Sequence, residues 1–229
     1  MLKPAARSQH PLTDIAHARP SSTVVLVRAT DHEPEVFLVQ RHEASAFGAA
    51  YAFPGGVVDP EDNAVHDYCK GLSTRAADAN LGVKGDGLDY SSAAVRELFE
   101  ESGVLLANTD EVAEGPEAAR DALNDNSDNW ADFVSRNELE LYCDQLHYIG
   151  HWVTPPQQAK RYSTRHILAV MPQSPVASHC GGELPNCCWM TAHDAPAAGR
   201  EGAITLQSPT VKTLETIEKQ KTLDALVDW

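Results

Sequence analysis

The distribution of apolar side chains predicts two neighbouring strands near the start of the chain. Residues 23–29 (TVVLVRA) and 35–40 (EVFLVQ) are rich in β-branched and apolar side chains, and a charged stretch that contains proline separates them. Such runs are typical of strands joined by a short loop. Residues 53–56 (FPGG) combine proline and glycine and therefore indicate a turn. A hairpin followed by a glycine-rich loop is the predicted beginning of the fold.

The most regular helical pattern lies in the middle of the chain. Residues 91–103 (SSAAVRELFEESG) place apolar side chains at helical spacing, begin with two serines suited to an N-cap and end on glycine. Residues 63–90 precede this helix and contain a helical pattern near 66–80, followed by a glycine-rich stretch. We interpret residues 63–90 as an insertion.

The remaining periodic segments complete a mixed architecture. Further helices are predicted at 116–124, 128–138 and 208–219, and further strands near 146–153, 162–171 and 187–191. Trp130 and Phe133 are expected to contact the core. Strands followed by a helix, more strands and a closing helix indicate an α+β fold, an α/β/α sandwich with a mixed sheet between helices. One domain is expected to span residues 1–229.

Charge limits the classes of partner. The formal net charge is -15, from 33 acidic and 18 basic residues. Such a surface repels a polyanion, so we expect no binding to nucleic-acid polymers. A small phosphorylated substrate is compatible with this charge if a bound cation and a few arginines reverse the sign inside the pocket. No apolar run approaches the ~20 residues of a membrane span, so no membrane association is expected either.

The five cysteines form an odd set without a C-x-x-C pair, so neither a disulfide framework nor a zinc ribbon is predicted. Reduced cysteines in the cytoplasm are the expectation. A metal clasp formed by His179 and Cys180 with Cys187 and Cys188 lacks a recognised zinc spacing and is set aside.

Three glutamates on the predicted central helix are the main candidates for chemistry. Glu97, Glu100 and Glu101 occur at i, i+3 and i+4, so a helix brings the three carboxylates to one face, where they repel one another. Mg²⁺ takes oxygen ligands and is held by a few carboxylates together with substrate phosphate oxygens. Arg96 is placed to orient Glu97 through a charge-assisted pair. A solvated acidic helix face is the alternative interpretation of the glutamates alone.

The letters around these glutamates resemble a known family. Residues 96–104 (RELFEESGV) match R-E-U-x-E-E-x-G-U, where U is aliphatic, the core of the box of Nudix hydrolases. The front half of the box, G-x5-E, is answered by Gly56, five residues and then Asp62. The sequence departs from the pattern twice. The acid is aspartate, and 33 residues separate it from Arg96 where the family has seven.

The resemblance implies a Nudix fold, a bound Mg²⁺ or Mn²⁺, and hydrolysis of a diphosphate linkage in a nucleoside-diphosphate derivative. Bound cations screen the phosphate oxygens, activate water and stabilise the leaving group. Glu97, Glu100 and Glu101 would bind the metal, together with a carbonyl of the glycine loop, Gly55 or Gly56. The general base is either Glu97 or Glu183, a glutamate of a late loop.

A second level of resemblance concerns the coenzyme A and acyl-coenzyme A diphosphatases that have long insertions. The segments involved are Gln40-Arg41, residues 152–155 (WVTP), residues 161–165 (RYSTR) and Trp189. The branch pattern has an additional arginine between Arg41 and Gly48 that this sequence lacks. The residues predicted to contact substrate are Arg41, Phe53, Gly55, Trp152, Arg161 and Arg165.

Other functions remain open at this point. The same metal helix also occurs in ADP-ribose and nucleotide-sugar pyrophosphatases, and some Nudix-like domains sense a nucleotide without cleaving it. The complete set of Arg96 and the three glutamates favours an enzyme, because a module without chemistry gains little from crowded carboxylates. A purely structural acidic protein ranks last. A small nucleotide-derived molecule is the expected partner, and a homodimer is one possible assembly.

Overall fold

The computed structural model describes residues 17–41, 49–108, 112, 115–172 and 187–228. Its strands are β1 (Arg19–Arg28), β2 (Glu35–Gln40), β3 (Tyr51–Ala52), β4 (Gly55–Val57), β5 (His147–Val153), β6 (Tyr162–Val170) and β7 (Cys187–Thr191). Its α-helices are α1 (Pro60–Ala64), α2 (Thr74–Leu81), α3 (Gly87–Ser102), α4 (Pro116–Asn124), α5 (Trp130–Arg136), α6 (Asp194–Arg200), α7 (Ser208–Ile217) and α8 (Leu223–Val227). Short 3-10 helices lie at His66–Tyr68 and Cys143–Gln145.

The strands form one mixed sheet with β1 at its centre. The main order is β3-β2-β1-β6-β5, with β4 paired to β1 and β7 paired to β2. β1 runs parallel to β6 and antiparallel to β2 and β4. The pairing of β2 and β4 with the same strand brings the glycine loop of residues 53–56 beside the first hairpin. The predicted mixed sheet is confirmed.

Alternation along β1 separates two hydrophobic layers. Val24 and Leu26 belong to a core that is covered by α3, α4 and α5, whereas Val25 and Val27 face a second core that is covered by α6, α7 and α8. Strand side chains point to opposite faces with a period of two, so a sheet buried on both sides has an almost continuously apolar strand. Helices on both faces therefore follow from the run at residues 23–29.

The predicted core contacts Trp130 and Phe133 are fully buried, and Phe133 stacks on Phe99 of α3 with ring centroids 5.7 Å apart. Stacked aromatic pairs add to the stabilisation gained from burial. This contact anchors α5 against the helix that carries the three glutamates. Among the described helices, none is long and apolar enough to cross a membrane.

The central helix begins earlier than the sequence predicts. α3 starts at Gly87, with Asp86 as its N-cap, so the prediction that Ser91 and Ser92 cap it is wrong. Asp78 of α2 accepts hydrogen bonds from the backbone N–H groups of Gly85 and Gly87, at 2.7 and 2.9 Å. A carboxylate from a preceding helix thereby satisfies donors at the helix start. Local sequence shows the serines but not this tertiary cap.

The segment interpreted as an insertion packs beneath the first half of α3. Leu81 of α2 and Val65 lie in the α3 core, and Arg165 of β6 donates to the carbonyl of Leu81 at 3.0 Å. A Cβ at Gly87 would overlap the backbone of Ala77, so the two helices meet at a glycine. The segment is thus part of the packed fold, and its description as an insertion into one domain stays a prediction.

Among the described cysteines, Cys69, Cys143 and Cys188 are free. Cys187 is disulfide-bonded, so the prediction of reduced cysteines is wrong at this position. The zinc clasp that was set aside includes His179 and Cys180, which lie outside the described residues.

A buried histidine makes the second core sensitive to acid. His166 of β6 is 4% exposed, packs edge-on against Phe53 and shares a 2.9 Å hydrogen bond with Thr213 of α7. Burial, and next the nearby His151, lower the pKa of His166 to about 4. Its stabilising contribution is therefore present above its ordinary pKa of about 6.5 and is lost as the pH falls towards 4.

We expect this group to remove about 2 kcal/mol from the free energy of unfolding between pH 7 and pH 5. His166→Gln keeps a hydrogen-bonding side chain for Thr213 but does not titrate, so its stability should fall less over the same interval. Urea denaturation at the two pH values measures the difference. Equal losses in the variant and the native protein would contradict the assignment.

Candidate active site on helix α3

Arg96 of α3 is the centre of a buried ionic network. Its Nη1 donates to Glu97 at 2.8 Å and to Glu100 at 3.1 Å, while its Nη2 donates to the carbonyl of Val57 at 2.9 Å. Its Nε and Nη2 bind the two carboxylate oxygens of Asp62 at 3.1 and 3.0 Å. This bidentate pair fixes the plane of the guanidinium. Arg96 consequently holds two of the three glutamates in place.

Asp62 is the carboxylate that pairs bidentately with Arg96 despite its distance in sequence. Its side chain is fully buried and accepts further hydrogen bonds from the backbone N–H of Asp59, at 2.8 Å, and from Ser92, at 3.2 Å. Ser92 in turn accepts a 3.1 Å hydrogen bond from the indole of Trp130. The 33 intervening residues therefore leave the ion pair between Asp62 and Arg96 intact.

Glu101 is attached to the glycine loop rather than to Arg96. Its Oε2 accepts a 2.9 Å hydrogen bond from the backbone N–H of Gly55. The Nη2 of Arg41 donates to the carbonyl of the same glycine at 2.8 Å. Arg41, Gly55 and Glu101 thus form a chain that connects the end of β2 with the last turn of α3.

Gly56 approaches α3 so closely that a side chain at this position would displace the Glu97 carboxylate. A Cβ at this position would lie 2.5 Å from the carboxyl carbon of Glu97, well inside van der Waals contact. Gly56 pairs with Ser22 of β1, so the strand pairing prevents the loop from retreating. The missing side chain of Gly56 leaves the space that the Glu97 carboxylate occupies.

Burial governs the protonation of the three glutamates. It raises the pKa of Glu97 to about 8; Arg96 opposes this shift, and the charges of Glu101 and Glu100 add to it. Burial also raises the pKa values of Glu100 and Glu101. The charge of Arg96 opposes the shift of Glu100, and the charge of Arg41 opposes the shift of Glu101. Crowded carboxylates that are expensive to ionise become favourable ligands when a cation neutralises them.

The donor chemistry of this site fits a hard divalent cation, since carboxylate oxygens are the ligands that Mg²⁺ prefers. The side chains are nevertheless directed at protein donors: Glu97 and Glu100 towards Arg96, and Glu101 towards Gly55. No group of three acidic, histidine or cysteine side chains in the described part of the chain is arranged to hold a metal ion. Each of these hydrogen bonds engages one carboxylate oxygen, and the assignment of the three glutamates as metal ligands stays a prediction.

Two residues predicted to contact substrate are engaged elsewhere. Phe53 is 1% exposed in the second core, against His166. It therefore offers no surface to a ligand, and the prediction for Phe53 is corrected. Arg165 is 8% exposed, donates to the carbonyl of Leu81 and lies 5.6 Å from the ring centroid of Tyr90. It contacts the segment beneath the first half of α3 rather than the three glutamates.

Two further residues predicted to contact substrate belong to the hairpin of β5 and β6. Arg161 donates to the carbonyl of Thr154 at 3.0 Å, and Trp152 is half-buried with its ring centroid 6.5 Å from that of His166. Their roles stay predictions. Glu183, the alternative general base, lies outside the described residues.

Sequence reasoning missed Ser92, Arg120 and the indole N–H of Trp130 as parts of the site. Ser92 was considered only as an N-cap and Trp130 only as core. A helical wheel places Ser92 one turn before Arg96 on the same face, and this was the available signal. Arg120 of α4 donates from Nε to the carbonyl of Glu100 at 2.8 Å. Nothing in the sequence relates α4 to the end of α3.

The hydroxyl of Ser92 supports the Asp62 carboxylate that holds Arg96. We expect Ser92→Ala to weaken Mn²⁺ binding roughly tenfold, in the range seen when a partner of a metal-binding group is removed. Titration of the purified protein followed by electron paramagnetic resonance measures this affinity. Ser91→Ala is the matched control, because Ser91 is equally buried but donates to the carbonyl of Gly87. Equal affinities in the two variants would exclude the proposed support.

The mixed sheet, the glycine loop against Glu97 and the Arg96 network together define the class of Nudix pyrophosphohydrolases. The sequence profile of the NUDT19 Nudix domain matches residues 85–217, and the chain belongs to this family. The match begins immediately before α3, so it includes the three glutamates but leaves out residues 63–84 of the segment beneath α3. Family members of this class generally use divalent metal ions.

Two individual proteins support this membership. The chain is 26% identical over 212 residues to the Caenorhabditis elegans protein assigned as nudix hydrolase 7, with coverage of 90% of this chain and 62% of that protein. It therefore spans less than two thirds of the relative. A crystal structure of a NUDIX hydrolase from Alicyclobacillus acidocaldarius is similar with a TM-score of 0.78 and 25% identity, covering 94% of this chain and 97% of that one.

Proposed function

We propose that this domain hydrolyses a diphosphate linkage in a nucleoside-diphosphate derivative and requires Mg²⁺ or Mn²⁺. The observation that carries the proposal is the network of Arg96, whose 7%-exposed side chain is bonded to Asp62, Glu97 and Glu100. Burying several carboxylates around a single arginine costs free energy, because one positive charge does not neutralise them all. Such an arrangement therefore indicates a functional role for the carboxylates. The use that agrees with family membership is binding a catalytic cation.

In this proposal Glu97, Glu100 and Glu101 hold the metal, with the carbonyl of Gly56 as a further ligand. A bound divalent cation neutralises charge on the diphosphate and lowers the pKa of an attacking water. Arg96 orients Glu97 and Glu100 for this task. The Gly55 carbonyl already accepts from Arg41, and Gly56 is paired with Ser22 in the sheet, so either carbonyl would have to exchange a hydrogen bond for the metal.

Glu97 is the proposed general base. Its carboxylate is held by Arg96 at 2.8 Å beside the other two glutamates, where a bound cation would activate the attacking water. Glu97 would take a proton from the attacking water while Arg96 keeps the carboxylate in position. Glu183 remains the alternative base that the sequence predicts. Arg41 is the proposed contact for a substrate phosphate, because it lies beside Glu101 and Gly55.

Coenzyme A or an acyl-coenzyme A is the substrate that we propose, from the resemblance of Gln40-Arg41, residues 152–155, residues 161–165 and Trp189 to that branch. Trp189 packs 5.1 Å from Phe37 and lies under the guanidinium of Arg28, so it has a structural role as well. The branch pattern has an additional arginine between Arg41 and Gly48, and its absence here favours the alternatives, an ADP-ribose or nucleotide-sugar pyrophosphatase. A nucleotide sensor without activity is the third candidate.

A substrate panel in ¹⁸O-labelled water tests the proposal. Coenzyme A, acyl-coenzyme A, ADP-ribose, NADH and nucleoside triphosphates are incubated with the protein and Mg²⁺ or Mn²⁺, and the products are identified by mass spectrometry. Glu101→Gln and a metal-free reaction are the controls. The position of the label identifies the phosphorus that is attacked.

The outcomes separate the candidates. Preferred cleavage of coenzyme A esters supports the proposed substrate, whereas preferred cleavage of ADP-ribose shows that the pocket belongs to the alternative class. Metal binding without cleavage of any compound favours the sensor. Because the chain spans less than two thirds of its C. elegans relative, the activity of the whole protein is part of the proposal, and its cytoplasmic location and homodimer formation stay predictions.

A further inference from the structure

Arg120 combines burial with an incomplete set of hydrogen bonds. It lies on α4, is 7% exposed, and uses its Nε to donate to the carbonyl of Glu100 at 2.8 Å. Within the described residues, no acceptor is bonded to its two terminal nitrogens, and neither nitrogen is fully enclosed. The free edge of the guanidinium therefore reaches solvent from an otherwise buried side chain.

The guanidinium of Arg120 places a positive charge beside α3, the helix that carries the three glutamates. Burial lowers the pKa of Arg120, while the charges of Asp121 and Glu101 oppose this shift. Arg120 also lowers the pKa of Glu101, as Arg41 does more strongly. Two cations from distant parts of the chain therefore act on the same carboxylate of the site.

Capping the end of α3 does not account for a buried guanidinium. The carbonyl of Glu100 also accepts a hydrogen bond from the amide of Asn124, at 3.2 Å, so a neutral side chain already serves it. Burying a charge costs free energy unless the charge is paired. Among the described arginines of this region, Arg96 has acceptors for all three nitrogens, whereas Arg120 keeps two nitrogens available.

A guanidinium with a free edge matches a phosphate. Its planar fork presents two parallel N–H donors, stays charged at any physiological pH and binds phosphate oxygens bidentately. The bond from Nε to the Glu100 carbonyl fixes the plane before a ligand arrives, which lowers the entropy lost on binding. A diphosphate held at Glu97, Glu100 and Glu101 would have oxygens that face away from the metal and need such donors.

We propose that Arg120 binds a phosphate oxygen of the substrate at the end of α3. This assignment rests on the proposed diphosphate hydrolysis and names a binding residue for it. Arg120→Gln should raise KM roughly 10- to 100-fold, the range for a lost hydrogen bond to a charged group. kcat should change less than threefold, and Arg120→Lys, which retains the charge, should recover part of the loss.

Asn124→Ala is the matched control, because it removes the other donor to the Glu100 carbonyl without removing a cation. The affinity of each variant for inorganic pyrophosphate in Mg²⁺, measured by isothermal titration calorimetry, gives a readout that needs no turnover. We expect Arg120→Gln to weaken pyrophosphate binding 10- to 100-fold and Asn124→Ala to leave both KM and pyrophosphate affinity unchanged.

Several results would overturn the proposal. If Asn124→Ala reproduces the effects of Arg120→Gln, Arg120 only caps the helix. If the native protein hydrolyses a substrate but Arg120→Gln has the native KM and pyrophosphate affinity, Arg120 does not bind phosphate, and the proposed function stands. If the native protein hydrolyses nothing but loses pyrophosphate binding in Arg120→Gln, Arg120 binds phosphate, and the proposed function fails.

Discussion

Replacing Glu101 with glutamine is expected to lower kcat by about three orders of magnitude, equivalent to about 4 kcal/mol in the activation barrier. The change removes one negative oxygen ligand from the metal site. The fold should survive, because the amide oxygen of glutamine can still accept the hydrogen bond that Gly55 donates to Oε2. Steady-state kinetics with the preferred substrate of the panel and circular dichroism together measure both expectations.

Glu215→Gln serves as the control for the loss of one negative charge. Glu215 lies on α7, where its exposed side chain pairs with Lys212, and exposed pairs of this kind contribute little to stability. Its replacement should leave kcat unchanged. Near-native kcat in a folded Glu101→Gln protein would rule out Glu101 as a metal ligand that catalysis requires.

Gly56→Ala is expected to lower kcat/KM about 100-fold, the scale associated with a misplacement of roughly 1 Å in a catalytic group. The added Cβ would overlap the carboxyl group of Glu97. This carboxyl is the end of a flexible side chain, so Glu97 can move while the backbone stays in place. Loss of activity should therefore occur with little loss of stability, as measured by kinetics and urea denaturation.

Gly150→Ala is the matched control within the same sheet, because a Cβ at Gly150 meets no atom within 4 Å. It should retain native activity and stability. Gly55→Ala differs from both, since its Cβ would lie 2.7 Å from the Cα of Thr23 and must displace backbone. If Gly56→Ala retains native activity and Mn²⁺ affinity, the close contact with Glu97 has no part in catalysis.

The sequence predicted the sheet well because its strands are buried on both faces. β1, β2 and β6 each contain an apolar run, at residues 24–27, 36–39 and 167–170, and the predicted hairpin is present as the antiparallel pair of Val27 with Val36. The start of α3 was misplaced because Asp78, nine residues away from Gly87, supplies the helix cap. A cap that crosses between helices leaves no local pattern.

The candidate site also contains residues that the local sequence predicts and residues that only chain folding brings together. Arg96 and the glutamates could be recognised because a helix repeat brings them together within six residues. The partners of Arg96 and Glu101 in β4, α1 and the loop before them depend on chain folding, and only the family resemblance pointed to Asp62 and the glycines. Phe53 was assigned to substrate because it belongs to a recognisable motif, but between β3 and β4 its ring packs into the second core against His166.

The ion pair between Asp62 and Arg96 also bears on how such a protein can change over evolutionary time. It closes a loop of 33 intervening residues, and lengthening a flexible loop from seven to that size costs only about 1.4 kcal/mol in closure entropy. Contacts of Val65 and Leu81 with the core can offset this cost. The segment between the two clamped residues can thus change in length outside its core contacts and Ser92, while the machinery on either side keeps its geometry.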